Sequence, residues 1–312
     1  MKPIFAAFAA VFLVAGCGTA ATDTSTTTTT TTDGTVSLVD PNLADPNKRY
    51  LWDTGRFLMA NQFTYNSNTN TLVINNLPFD GVSSQGGAYQ ESAILPNGAQ
   101  IFANSPNAAE DQYLAVIYRS PNGTNSLVGA VGTSAYFGYG YGGAYAGRTS
   151  SSLPASRTAA YQYKGAYAGV VVNRQDTTGA SNGVYATDGL ATINVDLQDI
   201  DTGGSIKGNV TGRHIYDENG TLLGNLSPIV LNETTIDTTT NRTGDATATT
   251  YNLDTTAAQS GSWEGSFTGP NGQEIVGFLV VEGATPTADS TYDAVHAVKG
   301  REVGAFIATQ QP

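Results

Sequence analysis

The chain has 312 residues, with 26 acidic and 14 basic side chains, which gives a formal net charge of −12 at pH 7. Nucleic acid and anionic lipid surfaces attract basic proteins, so a charge of this sign argues against both, and we expect no nucleic-acid partner. Charged residues make up 13% of the chain, about half the usual share, whereas glycine (36 residues) and tyrosine (16 residues) are abundant. This composition favours an all-β fold with many tight turns.

The chain starts with a basic residue, Lys2, and an apolar run from Ile4 to Val14 that ends in small residues before the single cysteine, Cys17. The run is too short to cross a bilayer and has the organisation of a secretory signal peptide. Its last four residues, Val14–Cys17, resemble the lipobox of bacterial lipoproteins, in which the cysteine is acylated and becomes the first residue. We therefore expect residues 1–16 to be removed and Cys17 to carry the lipid anchor; the alternative is an ordinary secretory peptide with an incidental cysteine.

Gly18 follows the cysteine at the position where an aspartate would favour retention in the inner membrane of enteric bacteria. We therefore expect a lipid-anchored protein of the outer membrane of a Gram-negative bacterium, exposed at the cell surface and monomeric. Residues 17–40 contain an unbroken threonine run, Thr26 to Thr32, and little that could form a core, which predicts a disordered tether. The alternative, a threonine strand, lacks the alternation of a half-buried strand.

Residues 41–148 predict a small β-rich domain with two hairpins. The first joins Phe57–Tyr65 to Thr71–Asn75, and the second joins Tyr113–Tyr118 to Leu127–Gly132 across an Asn-Gly turn. The domain ends in a Tyr- and Gly-rich stretch, Tyr136 to Arg148. Such a stretch can form a stacking platform for a ring-shaped ligand, but more often its tyrosines pack while its glycines let a strand bend. Residues 149–157 follow as a polar linker.

Residues 158–312 predict an eight-stranded antiparallel up-and-down β-barrel. Ile193, Val195 and Leu197 alternate with polar residues, and so do Trp263 and Phe267, as expected for strands with one buried face. Closure between the first and last strands would protect the sheet edges, and we expect this part to fold alone. The eight predicted strands are Tyr161–Val172, Gly189–Gln198, Ser205–Gly212, Pro228–Ile236, Ala246–Leu253, Gly261–Thr268, Glu274–Val281 and Val303–Thr309.

Several glycine- and aromatic-rich runs in this second half carry a family resemblance. They are Gly165–Gly169, Gly189–Asp196, Gly261–Phe267, Gly269–Glu274 with Gly277, and Arg301–Thr309. In their order and spacing they resemble the β-barrel domain of transferrin-binding protein B and its relatives among Gram-negative surface lipoproteins. The resemblance covers about residues 158–310.

The resemblance implies a rigid barrel, a neighbouring "handle" domain, here residues 41–148, and exposed loops that contact an extracellular partner. An iron or haem carrier is the partner that the family suggests. The family's best-known member has two lobes, whereas this chain has the length of one, and no partner-contacting residue can be matched by motif.

Candidate catalytic and metal-binding residues are few. His214 and His296 are the only histidines, and we interpret both as solvated surface residues. Asp199 and Asp201 have the alternate spacing of part of a calcium loop but lack its remaining ligands, which favours a polar turn. Glu264 and Glu274 are the pair that a glycosidase would need in one cleft, but we place Glu264 on an outward face and Glu274 in a turn. We therefore expect no catalytic residue, no metal and no cofactor.

Inward-facing residues are predicted to fill the barrel, because large side chains (Trp263, Phe267, Phe278 and Phe306) mix with alanine and glycine. Recognition would then fall to long polar loops, among them Gln175–Asn182, Asp237–Asp245 and Gly283–Lys299, and we expect the functional loops to lie at one end of the barrel. The sequence thus favours a surface lipoprotein that binds an extracellular macromolecule through barrel loops. The alternatives are a structural envelope protein or a lipocalin-like lipoprotein that holds a solute inside the barrel.

Overall fold

The computed structural model describes residues 29–30, 36–37, 45, 47–51, 62–75, 88–104, 113–134, 141–174, 183–198, 204–244, 246–251, 256–284 and 299–312. The chain divides into two units, Met1–Pro41 and Asn42–Pro312. In the first unit, β1 (Thr29–Thr30) and β2 (Val36–Ser37) pair antiparallel within the segment predicted to be a tether. The signal peptide and Cys17 lie outside the described residues, and the predicted domain boundaries stay predictions. The described residues contain no helical segment with the length and hydropathy of a transmembrane span.

The first part of the second unit is a curled, antiparallel eight-stranded sheet, which we call the handle sheet. In space its strands follow the order β3, β10, β9, β8, β7, β6, β5, β4, so all neighbours except β3 and β10 are joined by consecutive connections. Both predicted hairpins are confirmed, as β4 with β5 and β8 with β9. The strands are β3 (Lys48–Tyr50), β4 (Gln62–Asn66), β5 (Thr71–Asn75), β6 (Ala88–Ile94), β7 (Gln100–Ala103), β8 (Tyr113–Arg119), β9 (Leu127–Thr133) and β10 (Tyr141–Gly147).

The second part is a closed antiparallel β-barrel, as predicted. Its wall runs β11, β12, β13, β15, β18, β19, β20, β21, and β21 pairs with β11 from Tyr163 with Gln310 to Arg174 with Lys299. The strands are β11 (Ala160–Arg174), β12 (Gly183–Asp196), β13 (Ser205–Tyr216), β14 (Leu222–Leu226), β15 (Ile229–Thr234), β16 (Ile236–Asp237), β17 (Arg242–Thr243), β18 (Thr247–Tyr251), β19 (Ala257–Thr268), β20 (Glu274–Ala284) and β21 (Lys299–Gln310).

All eight predicted strands correspond to strands of the wall, and the structure adds three short ones. The fourth wall strand is broken at Ser227 and Pro228: β14 pairs with the end of β13, and β15 pairs with its beginning. Proline has no N–H to give to a ladder, which explains a break at this point. The hairpin of β16 and β17 joins the wall where Arg242 pairs with Ser266.

The up-and-down order defines two ends of the barrel. The proximal end holds the start of β11 and the connections from β12 to β13, from β15 to β18 and from β19 to β20. The distal end holds the connections from β11 to β12, from β13 to β14, from β18 to β19 and from β20 to β21. The chain reaches the handle sheet at the proximal end, because the N–H of Arg148 donates to the carbonyl of Asn47 while its guanidinium reaches Phe267 near the end of β19.

Buried apolar side chains fill the barrel interior. Phe267 and Phe306 are completely buried, Trp263 is 3% exposed, and its indole Nε1 donates to the carbonyl of Asn232 at 3.1 Å. Each fully buried large side chain contributes roughly 1.5–3 kcal/mol of hydrophobic free energy. The other large members of this interior cluster include Tyr163, Tyr167, Ile193, Val195, Ile206, Val210, Ile229, Leu231, Ile275, Leu279 and Val281.

A second apolar cluster joins the handle sheet to the outer face of the barrel. Val116 and Val128 of the sheet share it with Val303 and Ile307 of β21 and with Phe278 of β20. Our prediction that Phe278 faces inward is therefore wrong. Its neighbours Gly277 and Leu279 alternate with it and face the interior, and Phe278 packs beneath the handle sheet. The second unit is thus a barrel with one flank covered by a sheet.

A third cluster lies on the other face of the handle sheet. Tyr145 of β10 is 7% exposed and stacks on Phe63 at 5.5 Å between ring centroids. The ring of Tyr50 lies 5.1 Å from Tyr145, and Phe102 is fully buried in the same cluster. The stretch Tyr136–Arg148 therefore contains a strand in which Tyr145 packs in a core, which agrees for this residue with the packing interpretation rather than with a stacking platform.

Candidate functional site

A buried polar network lies inside the barrel towards its distal end. The guanidinium of Arg213 donates to a carboxylate oxygen of Glu302 and to the carbonyl of Ser227, and the two charged side chains are only 2% and 3% exposed. The other oxygen of Glu302 accepts hydrogen bonds from Tyr167 at 2.7 Å and Thr187 at 2.8 Å. Side chains thus occupy the distal part of the interior, where, among the described residues, Arg213 Nε and Ser227 Oγ are the two buried polar atoms of the network without a hydrogen-bond partner.

The electrostatics of this network keep the proton on the phenol of Tyr167. Burial, and then the charge of Glu302, raise the pKa of Tyr167 well above its ordinary value, so the phenol stays protonated and donates. A side chain at Gly304 would overlap the Tyr167 ring and hydroxyl, so this glycine provides the space for the phenol. Sequence reasoning missed Glu302, although it shares the inward parity of Phe306 in the same strand.

The three predicted recognition loops do not share one end of the barrel. Loops 175–182 and 283–299 lie in the distal connections, and most of their residues are outside the described part of the chain. Loop 237–245 is instead the connection between β15 and β18 at the proximal end. The expectation that the recognition loops lie at one end of the barrel is wrong for loop 237–245. Consecutive connections of an up-and-down barrel alternate between its two ends, and this connection falls at the proximal one.

The proximal loop is a short hairpin with an exposed tip and an anchored base. Asp237 to Thr240 are exposed, whereas Ile236 just before the loop is 3% exposed and the side chain of Asn241 donates to the hydroxyl of Ser151 at 2.9 Å. Arg148 of the handle sheet donates to the carbonyls of Phe267 at 2.8 Å and Thr240 at 3.2 Å. Burial, and then the nearby charge of Arg242, lower the pKa of Arg148 to about 10, so the guanidinium stays charged at neutral pH.

Glu264 takes part in a contact between the handle sheet and the barrel. Arg49 of β3 binds both oxygens of its carboxylate, through Nε at 2.5 Å and a terminal nitrogen at 2.8 Å. Both side chains are 22% exposed. Glu264 lies on the outward face of β19, as predicted, and its carboxylate binds the handle sheet in the bidentate geometry that arginine favours.

Glu274 is the first residue of β20 and completely buried, so its assignment to a turn is wrong. The turn between β8 and β9 surrounds its carboxylate, which accepts hydrogen bonds from the hydroxyls of Ser120 and Thr124, from the amide of Asn122 at 3.1 Å, and from Ser126 at 3.2 Å. We call these four residues and Glu274 the carboxylate clasp. Glu264 and Glu274 therefore bind separate parts of the handle sheet and do not face one cleft.

His214 lies in β13 with its side chain partly exposed, as expected for a surface histidine, and it is also paired. Its Nδ1 lies 2.8 Å from a carboxylate oxygen of Asp188, and its side chain is 39% exposed. The other carboxylate oxygen of Asp188 accepts a hydrogen bond from Tyr216 at 3.2 Å, and burial raises the pKa of this phenol. This group belongs to the covered flank of the barrel, because Tyr216 is part of the cluster beneath the handle sheet.

The remaining candidate residues lie outside the described part of the chain. These are His296, Asp199 and Asp201. Among the residues that the structure does describe, no three His, Cys, Asp or Glu side chains lie together in a way that could hold a metal ion.

No family model matches the chain, and neither does any curated protein. In structure it is similar to a double mutant of transferrin-binding protein B from Haemophilus parasuis Hp5, with 14% identity and a TM-score of 0.42 over 89% of this chain and 46% of that one. This chain thus spans less than half of the length of that protein.

Two further solved structures are similar. One is a mutant of transferrin-binding protein B from Actinobacillus pleuropneumoniae H49, with 13% identity and a TM-score of 0.35 over 79% of this chain and 95% of that one. The other is isotype 1 transferrin-binding protein B from serogroup B Neisseria meningitidis, with 17% identity and a TM-score of 0.32 over 79% and 40%. These three solved structures are all of transferrin-binding protein B.

Proposed function

We propose that this protein is a surface lipoprotein that is anchored in the outer membrane of a Gram-negative bacterium through Cys17 and binds an extracellular macromolecule through the distal loops of its barrel. The observation that carries the proposal is the filled interior. Apolar side chains and the Arg213–Glu302 network occupy the space where a lipocalin-like protein would hold a solute. Binding is therefore assigned to the outside of the barrel.

The position of the chain's start supports the choice of the distal loops. Residues 47 and 48 lie beside Arg148 at the proximal end, so the segment that leads to Cys17 joins the folded unit there. The loops 175–182 and 283–299 connect strand ends at the opposite end of the barrel, and we assign recognition to them for this reason. Loops on a fixed scaffold are common recognition elements.

The contacts between the handle sheet and the barrel make that scaffold rigid. They include the bidentate pair of Arg49 and Glu264, the clasp around Glu274, and a hydrogen bond from Asn97 to the carbonyl of Tyr167 at 2.7 Å. Together with the shared apolar cluster, these contacts hold both ends of the sheet against the barrel. A partner would therefore lose little affinity to ordering the handle sheet against the barrel.

Loop replacement tests the binding proposal. The chain without residues 1–17 is immobilised and exposed to transferrin and to haem-carrying proteins, because the sequence resemblance suggests an iron or haem carrier. A variant with residues 286–297 replaced by a Gly-Ser linker should lose binding at least about tenfold, whereas the same replacement of the proximal residues 199–203 should not. Unchanged melting temperatures show that both variants are folded. Equal binding by the distal variant would refute the loop assignment, and failure of all these carriers to bind the unaltered chain would refute the iron or haem assignment.

The anchor has a separate test. Cys17→Ala should abolish incorporation of radiolabelled fatty acid and release the protein from the membrane fraction, because the chain contains no other thiol. Gly18→Ala provides the matched control and should be labelled like the unaltered protein. Labelling of the Cys17→Ala variant would overturn the anchor assignment.

A further inference from the structure

An open groove with both polar and apolar lining crosses the outer face of the barrel near its proximal end, where β11, β12 and β13 lie side by side. It is separate from the distal loops and from the flank that the handle sheet covers. Its lining residues are Ala160, Tyr161, Gln162, Asn194, Val195, Asp196, Ser205 and Lys207.

The register of the three strands explains why polar groups meet there. Gln162 pairs with Asn194, which pairs with Lys207 on its other side, so these three side chains form one row across the outer face. Ala160, Asp196 and Ser205 form the next row in the same way. Alanine contributes only a methyl group to the second row. The groove therefore lies over a small side chain with hydrogen-bonding groups around it.

The polar groups of the groove are held in place by neighbouring atoms. The amide nitrogen of Gln162 donates to the side-chain oxygen of Asn194 at 3.1 Å, and one carboxylate oxygen of Asp196 accepts from the N–H of Gln198 at 2.9 Å. Among the described residues, the amide oxygen of Gln162, the amide nitrogen of Asn194 and the second oxygen of Asp196 have no hydrogen-bond partner in the structure. They offer two acceptors and one double donor on side chains that extend from strands, and strands hold such groups more precisely than loops do.

The charge and polarity of the lining residues limit the class of ligand that the groove can bind. Within a chain of net charge −12, the groove contains one cation, Lys207, and one anion, Asp196, so it favours neither a polyanion nor a polycation. Lys207 is also paired with Glu233 at 2.7 Å, and both of these side chains are more than half exposed. The two rows contain no large aliphatic side chain, and the apolar part of the lining comes from Ala160, Tyr161 and Val195. A neutral ligand with many hydroxyl groups satisfies both constraints, because each hydroxyl donates and accepts.

We infer that this groove binds a saccharide, with Asn194 and Asp196 as the central hydrogen-bonding residues. The Gln162 oxygen accepts from one sugar hydroxyl, Asp196 accepts from another, and the Asn194 amide donates to a hydroxyl or ring oxygen between them. This site is independent of the distal loops, so it can be present whether or not the loop proposal holds.

A glycan array tests the inference with the chain from residue 41 onward. One arm carries bacterial envelope oligosaccharides and the other carries oligosaccharides of mammalian glycoproteins, so the array also distinguishes a ligand on the cell's own surface from one on a partner. Saturation-transfer NMR with the best-binding oligosaccharide then measures affinity. Asn194→Ala and Asp196→Ala should each weaken binding at least about fivefold, the factor that corresponds to the loss of one hydrogen bond.

Asn209→Ala is the matched control, because Asn209 lies in the neighbouring row on β13, outside the groove. It should bind the oligosaccharide like the unaltered chain, and circular dichroism melts should show that all three variants are folded. Absence of binding to every saccharide on the array would overturn the inference. Binding that Asn194→Ala and Asp196→Ala leave unchanged would overturn it as well.

Discussion

Arg213 and Glu302 form an ion pair inside the barrel, between strands β13 and β21 that are not neighbours in the wall. With both side chains at most 3% exposed, the charges are shielded from water and depend on each other and on Tyr167, Thr187 and the Ser227 carbonyl. A pair of this kind contributes little net stability over an apolar filling, but removal of one partner leaves an uncompensated buried charge. Its clearest consequence is that the distal interior stays filled.

Glu302→Ala should therefore lower the free energy of unfolding by about 3–5 kcal/mol, because the Arg213 charge stays buried without its partner. The double variant Arg213→Met with Glu302→Leu should recover most of this loss. Guanidinium chloride unfolding at pH 7 measures both. A single variant as stable as the unaltered chain would show that water reaches this part of the interior.

The carboxylate clasp gives a second prediction. Glu274→Ala leaves the hydroxyls of Ser120 and Thr124 and the other clasp donors without their buried acceptor, so the free energy of unfolding should fall by about 2–4 kcal/mol. Glu233→Ala removes an exposed carboxylate from the same barrel and serves as the control, with no measurable change expected. Equal effects of the two substitutions in urea unfolding would show that the clasp does not hold the sheet to the barrel.

Trp263 tests the register of β19. Trp263→Ala should cost about 3–5 kcal/mol of stability, because it opens a cavity in the interior cluster and removes the hydrogen bond to Asn232. Tyr251→Ala, at a 37% exposed aromatic residue of β18, should cost far less. If calorimetry gave a loss below about 1 kcal/mol for Trp263→Ala, the indole would have to face solvent and the register would be shifted by one residue.

The isolated barrel should be less thermally stable than the barrel covered by its handle sheet. In a fragment of residues 156–312, the outward side chains of Val170, Phe278, Val303 and Ile307 lose the cover of the handle sheet. We expect this fragment to bind the dye ANS and to melt at a lower temperature than the chain from residue 41 onward, which should unfold in one step. A fragment that melts like the longer chain and binds no dye would show that the sheet contributes nothing to the barrel's stability.

The barrel strands could be predicted from the sequence because their signals are local. Alternation in Ile193, Val195 and Leu197 and tight-turn residues such as Asn271 and Gly272 depend on neighbours along the chain. β20 was harder, since it is buried on both faces: Ile275 and Leu279 face the interior while Phe278 faces the handle sheet. A strand with two buried faces has no polar side chains that would show which of its faces is turned towards the barrel interior.

The polar contacts could not be predicted, because their partners are far apart in sequence. Arg49 and Glu264 are separated by 215 residues, and Ser120 and Glu274 by 154. Nothing local distinguishes these carboxylates from solvated ones until the handle sheet is placed against the barrel. The position of loop 237–245 at the proximal end, by contrast, follows from strand order alone and was open to inference.

Native mass spectrometry of the protein purified from its own envelope tests the central claim, that the barrel is a filled scaffold that binds through its surface. A filled interior predicts a folded species whose mass is that of the processed, acylated chain, with no small molecule retained when macromolecular partners are stripped by salt. A stoichiometric solute that survives this treatment and leaves only on unfolding would contradict the account and place the ligand inside the barrel.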